Sequence, residues 1–286
     1  MSGKFVLEAI GGLGNRMRAL DSAIAFCRQF DKELHLVWPY FKGLNCPFEM
    51  LFEKLDIIES ISSPSEFSTN PVLANLKVSY RKIIRIGYPF QYSKYLGKKK
   101  VYQLEKMKFP FEKLKVYENL RIQTDLRFYN NRNRYEELKP IKKLQEVIDG
   151  YKTKFLDKPV VGIHIRRTDH IWAIENSPTG RFIEEMQAEL LIDPRTIFFL
   201  ATDSEEERHE LEKEFGEKII SRNFQELGRD SEEGVQNALI DMYILANTRK
   251  IIGSYLSTFS FVASEIKNIP LITINEKISK SQFILE

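Results

Sequence analysis

Cysteine is scarce in this 286-residue sequence, with only Cys27 and Cys46. Two thiols cannot build a disulfide framework, and no Cys-x-x-Cys spacing points to zinc or to a redox pair. Cys27 falls inside an apolar helical pattern and reads as a buried thiol, which fits a reducing compartment. Histidine is also sparse: His35, His164, His170 and His209 show no metal-ligand spacing. No two aspartates are separated by a single residue, so the manganese-binding Asp-x-Asp pattern is missing. No run approaches the roughly 18 apolar residues that a spanning helix needs. The opening residues lead straight into a strand-like segment without a signal-peptide pattern. The expectation is a cytoplasmic protein, with peripheral membrane contact at most. Charge of one sign is lacking too, because the net formal charge is only +3. Nucleic acid is therefore not expected as a partner.

What is present is an ordinary globular composition, 43% hydrophobic and 29% charged, at a length that suggests two domains. The one local excess is basic. Lys94, Lys98, Lys99, Lys100, Lys106, Lys108, Lys113 and Lys115 are offset only by Glu105 and Glu112. Such runs are usually solvated, flexible faces. The interleaved Tyr92, Tyr95, Tyr102, Phe109 and Phe111 leave open a contact of 94–115 with an anionic lipid surface or an acidic acceptor.

Phe5 to Ile10 reads as a strand, 11–14 as a glycine-rich turn, and Asn15 to Phe30 as a helix with Met17, Leu20, Ile24 and Cys27 on one face. A second strand spans Leu34 to Trp38. This β-loop-α-β unit opens an α/β domain. Between Gly43 and Arg134 periodicity is weak, with strands suggested only at 55–61 and 116–123. A helix is expected over 135–155, with Pro140 tolerated near its start and Gly150 as a possible break. Pro159 to Ile165 then reads as a strand buried on both faces. Regular alternation follows: helix 180–191, strand 197–201, helix 205–215, strand 218–221, helix 235–246, strand 250–253, helix 258–266 and strand 270–274. The fold class is α/β, with two doubly wound domains, 1–140 and 141–286, facing a cleft. Ligands sit beyond the carboxyl ends of such strands.

The chemistry gathers there. His164-Ile165-Arg166-Arg167-Thr168-Asp169 closes a buried strand. Two arginines at such a place are costly without partners, and the guanidinium fork suits phosphate. The bland alternative is an arginine paired with Asp169 or another acid to hold the loop. His164 reads as buried and satisfied rather than as a metal ligand. Gly12-x-Gly14 lacks the third glycine of a dinucleotide fingerprint, since Met17 stands there, so an NAD-type oxidoreductase is disfavoured. The turn serves either backbone geometry alone or close approach to a ligand.

HIRRTD, then Ala201-Thr202-Asp203-Ser204, then the stretches Leu239 to Ala246 and Ser254 to Ser260 resemble, in order, the motifs of the GDP-fucose-dependent fucosyltransferases. These include the α1,2-, α1,6- and protein O-fucosyltransferases. The likeness covers roughly 159–267. Gly11 to Met17 also resembles the GGLGN opening of the α1,2 enzymes. The resemblance implies a GT-B fold of two Rossmann-like domains, with acceptor-side residues first and the nucleotide-sugar domain second. It further implies an inverting, metal-independent glycosyltransferase, GDP-fucose as donor, a glycan hydroxyl as acceptor and no cofactor. By position, Arg166 would hold the donor diphosphate, and Arg167 would bind the donor or order the site. Asp169 would steady the loop, Asp203 would meet guanine or ribose, and Asp241 would read the nucleotide or tie down the loop. Ser257, Thr258 and Ser260 would offer hydroxyls and N–H groups to phosphate. His164 joins the donor set, and Asn15 or Arg16 would reach the donor sugar. The general base would be Glu175, with Asp169 and His170 as competitors. Trp172 would stack on a sugar or sit in the core. The remaining alternatives are a different donor sugar on the same mechanism, or a nucleotide-sugar-binding protein without turnover.

Overall fold

The computed structural model describes residues 3–40, 43–63, 91–131, 134–168, 171–222 and 228–275. The chain divides into two compact units, Met1–Ile141 with Arg229–Gln236, and Lys142–Gly228 with Asn237–Glu286. The architecture is α/β, with one five-stranded parallel sheet in each unit. Among the described residues no helix is long and apolar enough to cross a membrane.

The first unit contains β1 (Gly3–Ala9), α1 (Leu13–Phe30), β2 (Lys32–Val37), β3 (Ile58–Ser62), β4 (Lys94–Leu96), α2 (Lys98–Lys106) and β5 (Asn119–Thr124). Its strand order is β3-β2-β1-β5-β4. The apolar stripe of α1 works as its spacing predicts: Met17, Leu20, Ile24 and Cys27 are all buried. Phe26 packs on Phe5 of β1, with ring centroids 5.3 Å apart. Each such side chain removed from water is worth about 1.5–3 kcal/mol. The helix stops where Asp31 turns left-handed and its N–H closes on the Cys27 carbonyl.

The lysine-rich run is more ordered than a flexible face. It contains β4 and α2, and beyond them Phe111 and Leu114 are buried. Three consecutive lysines open α2, and Val101 is its one buried residue, so the sequence offers almost no periodicity to detect.

The second unit runs α3 (Lys142–Lys154), β6 (Val160–Ile165), α4 (Ile171–Asn176), α5 (Thr179–Ile192), β7 (Ile197–Thr202), α6 (Glu205–Phe215), β8 (Ile219–Ser221), α7 (Glu232–Leu245), β9 (Ile251–Ser254), α8 (Thr258–Lys267) and β10 (Leu271–Ile274). The first turn of α7 belongs to the first unit. The strand order is β10-β9-β6-β7-β8. All six residues of β6 are buried, as a central parallel strand requires. Val161, Ile163 and Ile165 form one core with Phe182, Met186, Phe198, Leu211 and Ile252. The helix expected over 135–155 is shorter, because α3 begins only at Lys142. Pro140 disfavours helix at the residue before it and instead bridges Phe52, while Gly150 stays inside the helix.

On the other face of β6 the helices come close at two glycines. A Cβ on Gly162 would lie 2.7 Å from Leu245 Cδ2. One on Gly253 would lie 2.5 Å from Ser260 Oγ and 2.7 Å from Ser260 Cβ in α8. Gly253→Ala must therefore push α8 off the sheet. We expect a loss of about 1–3 kcal/mol in urea denaturation, the usual cost of overpacking; an unchanged midpoint would show that α8 yields freely.

Candidate functional site

The strand order of the second unit reverses between β6 and β9, since β7 and β8 follow on one side and β9 and β10 on the other. The Arg166–Thr168 loop leaves β6 at this point. Its first residue is tied across the gap, with Arg166 N–H donating to Ser254 Oγ at the end of β9, 3.0 Å away. Its next two residues are held from the other side. Asp203, just past β7, accepts from Arg167 N–H at 2.6 Å, Thr168 N–H at 3.3 Å and Thr168 Oγ1 at 2.7 Å.

The two arginines differ in environment. Arg167 donates through Nε to Glu207 Oε1 at 2.6 Å and through a terminal nitrogen to Thr179 Oγ1 at 3.1 Å. Thr179 in turn donates to both oxygens of Glu207. Arg167 is thus fixed within its own unit by an acid, as the bland reading allowed, and it orders the loop. Arg166 is half-buried at the loop's start. Glu207 and Thr179 were missed in the sequence. A signal existed in Ser204-x-x-Glu207, a capping-box spacing in which Ser204 does accept the Glu207 N–H.

His164 is buried, with Nδ1 2.7 Å from Ser260 Oγ and its ring stacked on Phe259 at 4.5 Å between centroids. Burial, with Arg166 nearby as a second cause, pushes its pKa down to about 3, so the imidazole is neutral. Ser260, expected to face phosphate, is only 1% exposed and turned inward to this histidine. It sits on the helix face that packs over Gly253. Ser257 is also buried, Thr258 is half-buried, and Leu256 before them holds a left-handed φ of 52°.

Asp241 lies in α7, buried, and pairs with Arg222 at 2.9 Å. Burial outweighs the arginine and lifts its carboxyl to about 6. Arg222 also donates to the Asn237 side chain at 3.0 Å. The pair lines a pocket with Thr202, Ser204, Arg208 and Ser221, next to Asp203. Arg222 directly follows the three-residue strand β8.

Glu175 is exposed on α4 beside exposed Ile171, Trp172 and Ile174. Trp172 is 61% exposed, which removes the core alternative. Asp169 and His170 lie outside the described residues. In the first unit, Asn15 is half-buried and accepts from Arg18 at 2.8 Å. Arg16 is a correction: it is 0% exposed, bound to the Gly11 carbonyl at 2.8 Å and the Pro39 carbonyl at 2.5 Å, with its guanidinium 5.0 Å from the Trp38 ring centroid. Burial lowers its pKa to about 9, and the two carbonyls and the ring stand in for water. It braces the glycine turn from inside. Among the described residues, no group of three or more His, Cys, Asp or Glu side chains is placed to hold a metal ion.

The structure can be compared with known proteins. The structures it resembles are fucosyltransferases. The fucosyltransferase NodZ from Bradyrhizobium superposes with a TM-score of 0.65 and 19% identity over 95% of this chain and 94% of that one. A mutant of Arabidopsis thaliana FUT1 in complex with GDP gives 0.59 and 15%, over 96% and 70%. POFUT1 in complex with GDP-fucose gives 0.53 and 14%, over 96% and 98%. At these identities the likeness carries the fold, an α/β architecture with two parallel sheets. In sequence, the chain is 33% identical to human GDP-fucose protein O-fucosyltransferase 2 over 121 residues, 40% of this chain and 27% of that protein. The chain thus spans about a quarter of the length of the curated relatives it matches. No family model matches it. The resemblance read from the motifs therefore agrees with both the structural neighbours and the sequence relative.

His164 also generates a pH prediction. Its folded pKa lies below the ordinary value near 6.5, so the unfolded chain binds the extra proton between about pH 6.5 and 3. The stability it contributes is present above 6.5 and is lost as pH falls. Between pH 7 and 4.5 the wild type should lose about 2–3 kcal/mol more than His164→Gln in urea unfolding; parallel pH profiles would contradict a neutral buried imidazole.

Proposed function

We propose that this chain is a GT-B glycosyltransferase of two Rossmann-like domains that moves fucose from GDP-fucose to a glycan hydroxyl, with inversion and without a metal. The observation that carries the reading is the anchored loop at the β6–β9 reversal, tied to Ser254 on one side and Asp203 on the other. Arg167 holds the loop through Glu207 and Thr179, and Arg166 lies half-buried at the loop's start, at the carboxyl end of the central strand. The fold of the neighbours, two of which hold GDP or GDP-fucose, favours the same ligand class.

In this mechanism Arg166 meets the β-phosphate. Negative charge grows on GDP as the C1–O bond breaks, and a preorganised guanidinium stabilises it in place of a cation. The acceptor hydroxyl attacks C1 from the opposite face and gives its proton to a carboxylate, so configuration inverts through an oxocarbenium-like transition state. Glu175 is the candidate base, with Asp169 as its competitor. Trp172 beside Glu175 presents an aromatic face to an acceptor sugar. Asp203 acts as a positioning residue through the loop, and the Asp241–Arg222 ion pair braces the start of the chain beyond β8 within the same unit.

Arg166→Ala is expected to cut transfer at least about 100-fold, the scale of losing one charge-stabilising donor, with an unchanged unfolding midpoint. GDP release coupled to a chromogenic readout measures it, and near-normal turnover would remove Arg166 from the mechanism. EDTA should leave the rate unchanged; inhibition reversed by manganese would mean a cation-dependent class. A thermal-shift series with GDP-fucose, GDP-mannose and UDP-glucose should show the largest rise with GDP-fucose, and a larger one with GDP-mannose would change the donor sugar.

A further inference from the structure

The first unit carries a polar cluster in which Asn15, first expected to reach the donor sugar, lies beside a buried acid. Its sheet has its own reversal of order, with β2 and β3 on one side of β1 and β5 and β4 on the other. Ala9 and Thr124 are the last paired residues of β1 and β5, and Ile10 N–H closes on the Thr124 carbonyl at 3.1 Å. Gly11 and Asp125 follow immediately past these strand ends, where an open parallel sheet binds ligands. Gly11 has a φ of +84°, and a Cβ on it would lie 3.2 Å from Asp125 Cβ and 3.1 Å from Asn15 Nδ2. The bare turn lets those two side chains come close.

Asp125 is only 8% exposed. Its Oδ2 accepts from Lys98 Nζ at 2.7 Å, and its backbone carbonyl accepts from Arg18 at 3.4 Å. Its Oδ1 is buried and has no hydrogen-bond partner. A buried carboxylate oxygen without a donor costs stability, and such a group calls for an explanation. Anchoring the loop does not supply one, because the carbonyl and Oδ2 already do that.

We propose that Asp125 Oδ1 receives a hydroxyl of the acceptor sugar, at a polyol site between the ends of β1 and β5 framed by Gly11 and Asn15. The chemistry selects a hydroxyl. A phosphate or carboxylate ligand would be repelled by the carboxylate, and a cation would meet the Lys98 ammonium already seated on it. A sugar hydroxyl donates the missing hydrogen bond and brings no charge. Naming this sugar the acceptor rests on the transferase reading; the orphan oxygen and the strand-end geometry do not.

The test is Asp125→Asn in the full chain, an isosteric change that removes the charge. Three measurements are made: unfolding midpoint, GDP-fucose affinity, and GDP release with lactose, chitobiose and mannobiose as acceptors. We expect a midpoint within about 2 °C of wild type and donor affinity within twofold. The kcat/KM for the acceptor should fall roughly 10- to 100-fold, mainly through KM, the worth of a hydrogen bond to a charged group. A midpoint lower by more than about 4 °C would make the carboxylate structural. Transfer within twofold of wild type would deny it a ligand. Either result overturns the proposal. If wild type neither binds GDP-fucose nor releases GDP, the transferase reading fails on its own. The site is then judged by titrating the three disaccharides into both proteins by NMR: binding lost in the variant supports it, and equal binding, or none in either protein, overturns it.

Discussion

One carboxylate holds the loop on which the candidate chemistry depends. Asp203 takes two backbone N–H groups and a hydroxyl from Arg167 and Thr168, while Ser254 takes the N–H of Arg166 from the other side. A loop leaving a central strand at a reversal of order has unpaired backbone donors and no neighbouring strand to satisfy them. Three charge-assisted or hydroxyl hydrogen bonds from one anchor fix both its path and its direction. That path sets where Arg166 leaves the strand. With three of its roughly four acceptor positions taken by the loop, Asp203 is first a fastener.

The same economy explains why two arginines stand side by side. Successive residues leaving a strand point to opposite sides. Arg167 turns to Glu207 and Thr179, where the ion pair is largely shielded and tied to the start of two helices. Such a pair contributes order more than net stability, because desolvation offsets much of its attraction. Arg166 inherits a rigid neighbour on one flank. Beneath both lies the neutral His164, locked to Ser260 and Phe259, so the floor of the loop carries no competing positive charge.

Much of this was legible in the sequence. The central strand β6 announced itself by a strongly apolar run, and α5, β7 and α6 were read to within a residue of their observed ends, whereas α7 starts three residues earlier than expected and the short α4 was not read. The HIRRTD and ATDS segments fell at strand ends as expected. What was not legible was the direction of individual side chains. Arg16 and Ser260 carry groups that suit phosphate, yet both point into the protein, because the positions they occupy on α1 and α8 face the sheet and the glycine turn. Residue type announces what a group can bind, and only its helical phase decides whether a ligand can reach it. The β4–α2 segment was missed because its lysines mask the few buried residues that hold it. Arg222 was missed because its partner, Asp241, lies 19 residues further along the chain.

The two sheets follow one grammar at their reversals, and it bears on how the chain divides its work. In each, a strand end passes into a loop where a buried polar group sits: Asp203 against a crowded set of donors in the second unit, Asp125 with one oxygen unanswered in the first. A satisfied carboxylate stabilises its loop before any ligand arrives. An unsatisfied one destabilises its surroundings until something donates to it. The contrast marks the second unit's strand-end acid as a fastener of its loop and the first unit's acid as only half engaged, through Lys98.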